Sequence, residues 1–171
     1  MRLDVSKALA AEGEEIPFAG TLDLPGTEVL GEAVTFPVPA ELTGSYASVG
    51  ETVHLRGNMA FTAASRCSLC LKPVKEAFHT SFDAVFSLSK DPGNPDLYAY
   101  DGAWIDPAAM AEDAAQLALP MRWLCARDCQ GLCPHCGADR NTTSCTCRME
   151  AETKHPFSAL QQLLTEDESE V

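Results

Sequence analysis

The sequence lacks the long hydrophobic runs and the excess of basic residues that mark two large classes of protein. No apolar run approaches the ~20 residues that a membrane-spanning helix needs, although apolar residues make up 46% of the 171-residue chain. Lys and Arg number 12 against 25 Asp and Glu, and the net charge of −13 argues against indiscriminate binding to phosphate backbones. The first 15 residues show no apolar core followed by a cleavage site, so we expect a cytoplasmic protein with no membrane contacts.

Catalytic signatures are also missing. The sequence has no phosphate-binding loop, no glycine-rich dinucleotide fingerprint, no nucleophile elbow and no zinc-protease helix motif. Its histidines, His54, His79, His135 and His155, show no spacing that pairs them with a nucleophile or with metal ligands. We therefore expect a protein that is not an enzyme, and a hydrolase or nuclease acting on RNA is a rival without sequence support.

The first part of the chain is rich in β patterns. Residues 34–42 alternate apolar and polar side chains, which predicts a half-buried strand. Pro37 and Pro39 fall within that pattern, and proline cannot donate to a hydrogen-bond ladder. We therefore expect an edge strand or an irregular one.

Two longer strands are predicted next, joined by a short connection. Residues 52–64 predict one strand with a bend or bulge at Gly57, and residues 74–88 predict another. The connection between them carries Cys67 and Cys70. Two thiols are thus expected together at the tip of a hairpin.

Helices are predicted later in the chain. Asp106 and Pro107 supply a cap residue and a helix-starting proline, and residues 108–119 are almost all good helix formers. The apolar stripe of that helix, which includes Met110 and Leu117, is suited to lying on a sheet.

These patterns predict an α+β fold: an antiparallel, barrel-like β-sheet with a packed helix and a C-terminal cysteine-rich, zinc-binding segment. Residues 1–120 form the β-rich domain with its closing helix. Residues 121–165 form the cysteine-rich segment and a terminal amphipathic helix over 156–164. Residues 166–171 form an acidic tail.

Cysteine is the informative residue of this sequence. In a reducing compartment, clustered cysteines more often bind metal than form disulfides. The eight cysteines are grouped as C-x2-C, then C-x3-C-x3-C-x2-C, then C-x-C. Their positions are Cys67, Cys70, Cys125, Cys129, Cys133, Cys136, Cys145 and Cys147.

The strongest metal-binding signature surrounds the fifth and sixth cysteines. Gly131 and Gly137 flank their C-x-x-C and let the backbone turn sharply, and zinc prefers a closed tetrahedron of thiolates in structural sites. The C-x-C that follows is the nearest source of two more thiolates. We expect structural Zn²⁺ on Cys133, Cys136, Cys145 and Cys147.

The sequence leaves open whether there is a second zinc site and which cysteines would form it. The remaining thiols, Cys67, Cys70, Cys125 and Cys129, suffice for another tetrahedron if the hairpin tip meets the segment after the helix. Alternatively, Cys129 works with the later C-x-x-C and Cys125 pairs elsewhere. A redox role for a C-x-x-C pair is a further alternative, although Pro73 discourages the helix start that lowers a redox thiol's pKa.

Basic residues concentrate in the two cysteine-bearing stretches of this acidic chain. They offset thiolate charge at a metal site or, alternatively, offer donors to phosphate or acidic protein. The members are Lys72, Lys75, Arg122, Arg127, Arg140 and Arg148.

The cysteine pattern resembles the YceD family, the large ribosomal RNA subunit accumulation proteins of bacteria, in its cysteine-rich branch. The resemblance is carried by the C-x-x-C of residues 67–70, the helix ending LALP at 117–120, the stretch CQGLCPHCG at 129–137, the CTC at 145–147 and the final PFSAL at 156–160. It spans roughly residues 60–165.

The resemblance implies a non-catalytic ribosome-biogenesis factor that promotes accumulation or processing of large-subunit (23S) ribosomal RNA. Its partner is expected to be a ribosome-assembly or rRNA-processing protein, with the rRNA precursor as the other candidate. The net charge favours the protein. The alternative from another functional class is a thiol redox or zinc-handling protein that uses the C-x-x-C pairs.

Overall fold

A computed structural model of the chain describes residues 1–88 and 97–147. The expected terminal helix over 156–164, the acidic tail, Arg148 and His155 lie outside the described residues. The elements are β1 (Leu3–Asp4), α1 (Ser6–Ala10), β2 (Ile16–Leu22), β3 (Thr27–Val29), β4 (Glu32–Val34), β5 (Ala40–Val49), β6 (Thr52–Arg66), β7 (Pro73–Ser87), β8 (Leu97–Ala99), β9 (Trp104–Ile105) and α2 (Ala108–Ala118).

The predicted α+β class is confirmed, with a curled half-barrel sheet, one packed helix and cysteine clusters in the later part of the chain. The main sheet has the strand order β2-β5-β6-β7-β8. Its first three pairings are antiparallel, as expected, but β8 runs parallel to β7 at the edge. The short strands form two small pairs, β1 with β9 and β3 with β4.

The expected strand over residues 34–42 is wrong as a single element. The chain leaves β4 at Val34 and enters β5 only at Ala40, and the residues between them include Pro37 and Pro39. Because neither proline has an N–H to donate, this stretch cannot form a continuous ladder. The apolar alternation instead places Val34, Ala40 and Leu42 in the core from separate elements.

The sequence predicted one strand with a bend or a bulge at Gly57; β6 is one strand over Thr52–Arg66, and the bulge is absent from it. The register between β5 and β6 runs without interruption, and Gly57 lies directly opposite Gly44. A Cβ on Gly57 would lie 2.1 Å from the Thr43 carbonyl oxygen and 2.9 Å from the Phe82 ring. Gly57 therefore keeps its place in the inward-facing alternation, and the Phe82 ring fills the space that a side chain would take.

The helix α2 forms where the sequence places it and packs against β7. The Asp106 carboxylate accepts a hydrogen bond from the Ala108 N–H at 3.1 Å, which satisfies a free donor at the helix start. Met110 is buried, but Leu117, which we placed on the same stripe, is 88% exposed. The buried face is narrower than expected, with Met110, Ala111 and Ala115 as its buried members.

An aromatic row crosses the core toward the end of β6. Phe36, Phe61, Phe78 and Trp123 follow one another with ring centroids 5.3 to 5.8 Å apart. Trp123 is 2% exposed, so the chain after α2 is drawn back onto the sheet beside the β6–β7 hairpin. Burying an aromatic ring of this size is a large apolar contribution to that return.

The chain divides into two compact units, Met1–Cys129 and the part that starts at Gln130. Within the described residues, no helix has the length and apolarity needed to cross a membrane.

Candidate metal centres

The cysteines lie in two groups of four, and within each group all the sulfur atoms are within 4.8 Å of one another. The hairpin cluster consists of Cys67, Cys70, Cys125 and Cys129. The knuckle cluster consists of Cys133, Cys136, Cys145 and Cys147. The structure thus brings the thiols together in one of the arrangements that the sequence left open, with Cys129 in the first group, and none of the eight forms a disulfide.

The hairpin cluster is built on the turn between β6 and β7. Cys67 follows the last residue of β6 and is fully buried, and Cys70 is 6% exposed. The Ser68 N–H donates to the Trp123 carbonyl oxygen at 2.9 Å, which holds the chain after α2 beside the hairpin tip. This contact brings Cys125 and Cys129 to the same place although they are more than fifty residues away in sequence.

The knuckle cluster is built on turns between residues 131 and 143. Gly131 and Gly137 have φ of 69° and 73°, the left-handed conformation that glycine adopts without steric cost. Leu132 and Asp139 form an isolated bridge, and the Arg140 N–H donates to the Gly131 carbonyl oxygen at 3.0 Å. The chain then reverses so that the C-x-C comes back to the C-x-x-C.

The two C-x-x-C turns share one backbone geometry. In each, the first cysteine's N–H donates to the carbonyl oxygen five residues on, from Cys67 to Lys72 and from Cys133 to Ala138, at 2.8 Å. In each, the fourth residue after that cysteine donates back to its carbonyl oxygen, at 2.8 Å and 2.9 Å. That residue is Gly137 in one turn and Leu71, with φ of 62°, in the other.

The electrostatics of both clusters favour a cation. Burial is the largest influence on Cys67 and raises the pKa of its thiol, but N–H groups of Leu69, Cys125 and Cys70 together bring that pKa down to about 6. Hydrogen bonding to the thiols of Cys70 and Cys129 raises the pKa of Cys125 to about 12. One thiol of the cluster therefore ionises readily, whereas the neighbouring thiols disfavour ionisation of a second. A divalent cation would stabilise all the thiolates and so remove this penalty.

The knuckle cluster repeats this pattern. N–H groups of Cys136 and His135 lower the pKa of the Cys133 thiol to about 6. The thiols of Cys145 and Cys136 raise the pKa of Cys147 to about 12. Backbone amides aimed at the first cysteine of each C-x-x-C thus stabilise negative charge on sulfur, which is the charge state that binds metal.

The sulfur spacing fits a tetrahedral ion. Zinc–sulfur bonds of about 2.3 Å set sulfur–sulfur separations of about 3.8 Å in a tetrahedron. In the hairpin cluster, Cys67 and Cys129 are 3.8 Å apart and Cys70 and Cys125 are 3.4 Å apart. In the knuckle cluster, Cys145 is 3.5 Å from Cys136 and 3.4 Å from Cys133. Four sulfur ligands and this spacing are typical of structural zinc sites rather than of magnesium or calcium sites.

A family model described as large ribosomal RNA subunit accumulation protein YceD matches residues 55–164. That match covers more than half of the chain and includes all eight cysteines. The chain belongs to the YceD family.

Relatives of this YceD-family chain include an uncharacterized protein of Mycobacterium bovis and uncharacterized proteins of two strains of Mycobacterium tuberculosis. Each is 32% identical over 96 residues, which cover 53% of this chain and 46% of the relative. The chain therefore spans less than half the length of these relatives. No solved structure gives a significant match.

No ligand role was predicted for the histidines, and in the described part of the chain none belongs to a metal group. His135 is exposed inside its C-x-x-C, and His54 lies 3.3 Å from the Thr52 hydroxyl. The left-handed Leu71 was missed because leucine gives no sequence signal for a positive φ. The role of Trp123 in returning the chain to the hairpin tip also has no local sequence signal, because it depends on contacts with Phe78 and Ser68.

Proposed function

We propose that this chain is a non-catalytic ribosome-biogenesis factor that promotes accumulation or processing of large-subunit ribosomal RNA. Two structural Zn²⁺ ions, one on each four-cysteine cluster, order the surfaces with which it docks. Membership of the YceD family supports the ribosomal setting. The observation that carries the zinc proposal is the sorting of all eight cysteines into two groups whose sulfurs lie within 4.8 Å of one another.

A structural rather than catalytic metal follows from the donor set. Four thiolates complete the tetrahedral shell of zinc, and no ligand position is then left for a water or a substrate. Backbone N–H groups around the first cysteine of each C-x-x-C donate to its sulfur and favour the thiolate that binds metal. Zinc at these positions therefore acts on the shape of the chain.

The proposed docking surface of the first unit surrounds the hairpin cluster. Lys72, Lys75, Arg122 and Arg127 are all exposed there. The segment of Arg122 and Arg127 is held to the hairpin tip by the cluster and by Trp123. Zinc bound at this point would fix four cations relative to one another on an otherwise acidic chain.

A ribosome-assembly or rRNA-processing protein is the favoured partner. With a net charge of −13, the chain as a whole repels a phosphate backbone, whereas an acidic patch on a protein can match a local group of cations. Binding to large-subunit precursor RNA in a salt titration tests this choice. A steep decrease of affinity with salt would show many phosphate contacts and favour RNA.

The main test is complementation in a bacterial host from which its own copy of the gene has been removed. We expect the wild-type chain to restore the ratio of large- to small-subunit ribosomal RNA. Cys67→Ser with Cys70→Ser, and separately Cys145→Ser with Cys147→Ser, should fail to restore it, because each pair removes half of one ligand set.

Matched controls lie between the same cysteines. Ser68→Ala and Thr146→Ala change exposed side chains within the two motifs and leave every sulfur in place. Both should complement fully. Complementation by the cysteine variants, measured at equal protein level, would contradict the proposed role of the clusters.

The redox alternative makes a different prediction for the purified protein. A thiol redox protein shows a C-x-x-C pair that oxidises and reduces reversibly, with the metal absent. The zinc proposal expects about two Zn²⁺ per chain by elemental analysis, and thiols that resist alkylation until a chelator is added. If the purified protein is metal-free and forms a reversible disulfide, the result would contradict the zinc proposal and support the redox role.

A further inference from the structure

Two turns of the first unit place a leucine in a backbone conformation that suits glycine. Leu30, between β3 and β4, has φ of 52°, and Leu71, between β6 and β7, has φ of 62°. Left-handed backbone of this kind is unfavourable for a side chain as bulky as leucine. Both side chains also lie in solvent, with exposed fractions of 77% and 53%. Each leucine therefore strains its turn and adds little apolar burial to the fold.

The turns themselves indicate which residues would suit them better. β3 and β4 are joined by the two-residue turn Leu30–Gly31, with positive φ at both residues, and asparagine before glycine is favoured in such a turn. At the position that Leu71 holds in its turn, the knuckle cluster has Gly137. Strained backbone clusters at sites that bind ligands or partners. The two leucines thus point to a contact outside the fold.

The two strained turns lie at the same end of the sheet. β4 runs antiparallel to β6 through the bridge between Thr35 and Ala64, so the turn before β4 lies beside the turn after β6. Between the two hairpins is a groove of about 750 Å³, which is within the usual size range of binding pockets. Leu30 and Leu71 are each two residues from a residue that lines it, and so stand at its rim.

The groove carries more positive than negative charge. Arg66 and Lys75 lie diagonally on one face of the β6–β7 ladder, and Glu32 is on the facing wall. Among the described residues, neither Arg66 nor Lys75 has an ion-pair partner. Glu32 and the net charge of −13 disfavour a continuous phosphate backbone. A protein segment can instead place separate carboxylates at the two cations and keep apolar side chains for the rim.

We propose that this groove receives an acidic segment of the protein partner, whose carboxylates pair with Arg66 and Lys75 and whose apolar side chains pack on Leu30 and Leu71. This inference rests on the proposed function, which supplies the protein partner. The Leu71 N–H donates to the Cys67 carbonyl oxygen at 2.8 Å, so the hairpin cluster holds one rim leucine in its strained conformation. Zinc at that cluster would keep this leucine in place for docking.

Photo-cross-linking in the complemented host identifies the occupant. A benzophenone amino acid in place of Ala33 puts the reactive group on an exposed wall of the groove. We expect cross-links to a protein, at a segment in which acidic residues stand beside apolar ones. Cross-links to RNA or to a second copy of this chain would overturn the proposal, as would the absence of any cross-link.

The cross-linked segment, made as a synthetic peptide, is then titrated against the full, metal-loaded chain by fluorescence anisotropy. Arg66→Glu should weaken binding at least about tenfold, whereas Glu32→Lys should tighten it. Leu30→Asn and Leu71→Gly should each weaken it about tenfold, because a packed apolar contact is lost. Both leucine variants should be at least as stable as the wild type in chemical denaturation and should hold as much zinc. Misfolding cannot explain weaker docking on a chain that is no less stable.

Two controls match these changes outside the groove. Lys7→Glu and Leu117→Ala alter an exposed cation and an exposed leucine on the two helices and should leave the peptide affinity unchanged. Leucine variants that bind the peptide as tightly as the wild type would overturn the proposal, as would charge variants without the expected opposite signs. Failure of the wild-type chain to complement contradicts the proposed function. Failure of the cross-link or of the peptide series in a complementing chain contradicts this inference alone.

Discussion

The hairpin cluster and the knuckle cluster start from the same C-x-x-C backbone and differ in what supports them. Cys67 of the hairpin cluster ends a 15-residue strand and is fully buried, and the aromatic row that ends at Trp123 packs beside it. The knuckle cluster rests on turns, and Cys136 and Cys147 are exposed. The same turn can therefore fasten two parts of an existing core or can be the main ordering element of a segment without a core.

This difference predicts which part of the molecule depends on metal. The first unit keeps its strands, its aromatic row and α2 whether or not zinc is bound, because apolar burial stabilises them. The described part of the second unit has few buried side chains, so metal binding and folding are coupled there.

The largest expected effect is on residues 131–143 when metal is removed. Treatment with EDTA at neutral pH should abolish hydrogen-exchange protection at amides such as Cys133 and Arg140, while those of β5 and β6 stay protected. Hydrogen exchange with mass spectrometry measures both regions in one sample. Equal loss of protection in the two regions would contradict the comparison.

Trp123→Ala should have the next largest effect, confined to the first unit. Removal of this buried ring should lower the free energy of unfolding by about 3–5 kcal/mol and release the hairpin cluster's metal more readily. Chemical denaturation measures the free energy of unfolding, and competition with a chelator measures the release of metal. Trp104→Ala is the matched control, because Trp104 is 51% exposed and its loss should cost no more than about 0.5 kcal/mol.

A smaller difference is expected in the rates at which the individual cysteines are alkylated. In metal-loaded protein, iodoacetamide should label Cys136 and Cys147 at least about tenfold faster than Cys67 and Cys129, since thiol reactivity needs access as well as a thiolate. Mass spectrometry of partly labelled protein gives the order. Cys125 is exposed and should be the first of the hairpin cluster to react, so its early labelling alone is no contradiction.

The smallest effects distinguish the two turns themselves. Gly137→Ala should destabilise the knuckle cluster by about 1 kcal/mol, because alanine is strained at φ of 73° although no atom lies within 4 Å of the added carbon. Leu71→Gly should relieve the same strain and stabilise the hairpin cluster by about 0.5 kcal/mol, the gain being reduced by the greater freedom of glycine when unfolded. Metal competition assays should show opposite signs for the two variants.

Local sequence patterns predicted the parts of the fold that local chemistry decides. The long strands before and after Cys67, the cysteines at the hairpin tip and the helix after Pro107 all follow from alternation, turn residues and capping. The prediction of one strand over residues 34–42 was wrong, although the alternation correctly marked buried side chains. Its two prolines have no N–H groups, so the backbone could not form a continuous hydrogen-bond ladder.

Contacts between elements that are distant in the chain could not be predicted from the sequence. Nothing in the spacing of Cys125 and Cys129 said whether they join the hairpin tip or the later C-x-x-C. Their place depends on Trp123 packing against Phe78 and accepting a hydrogen bond from Ser68. The parallel β8 and the exposed Leu117 are equally consequences of how distant elements meet.

The distance along the chain between paired cysteines sets how strongly each ion would restrict the unfolded polymer. Cys70 and Cys125 are 55 residues apart, whereas Cys136 and Cys145 are 9 apart. If a bound ion acts as a cross-link, the entropy of closing these loops corresponds to roughly 4 kcal/mol for the first and roughly 2.5 kcal/mol for the second. The first ion would thus close a loop of chain that contains β7, β8, β9 and α2. The second would close only the short loop between Cys136 and Cys145.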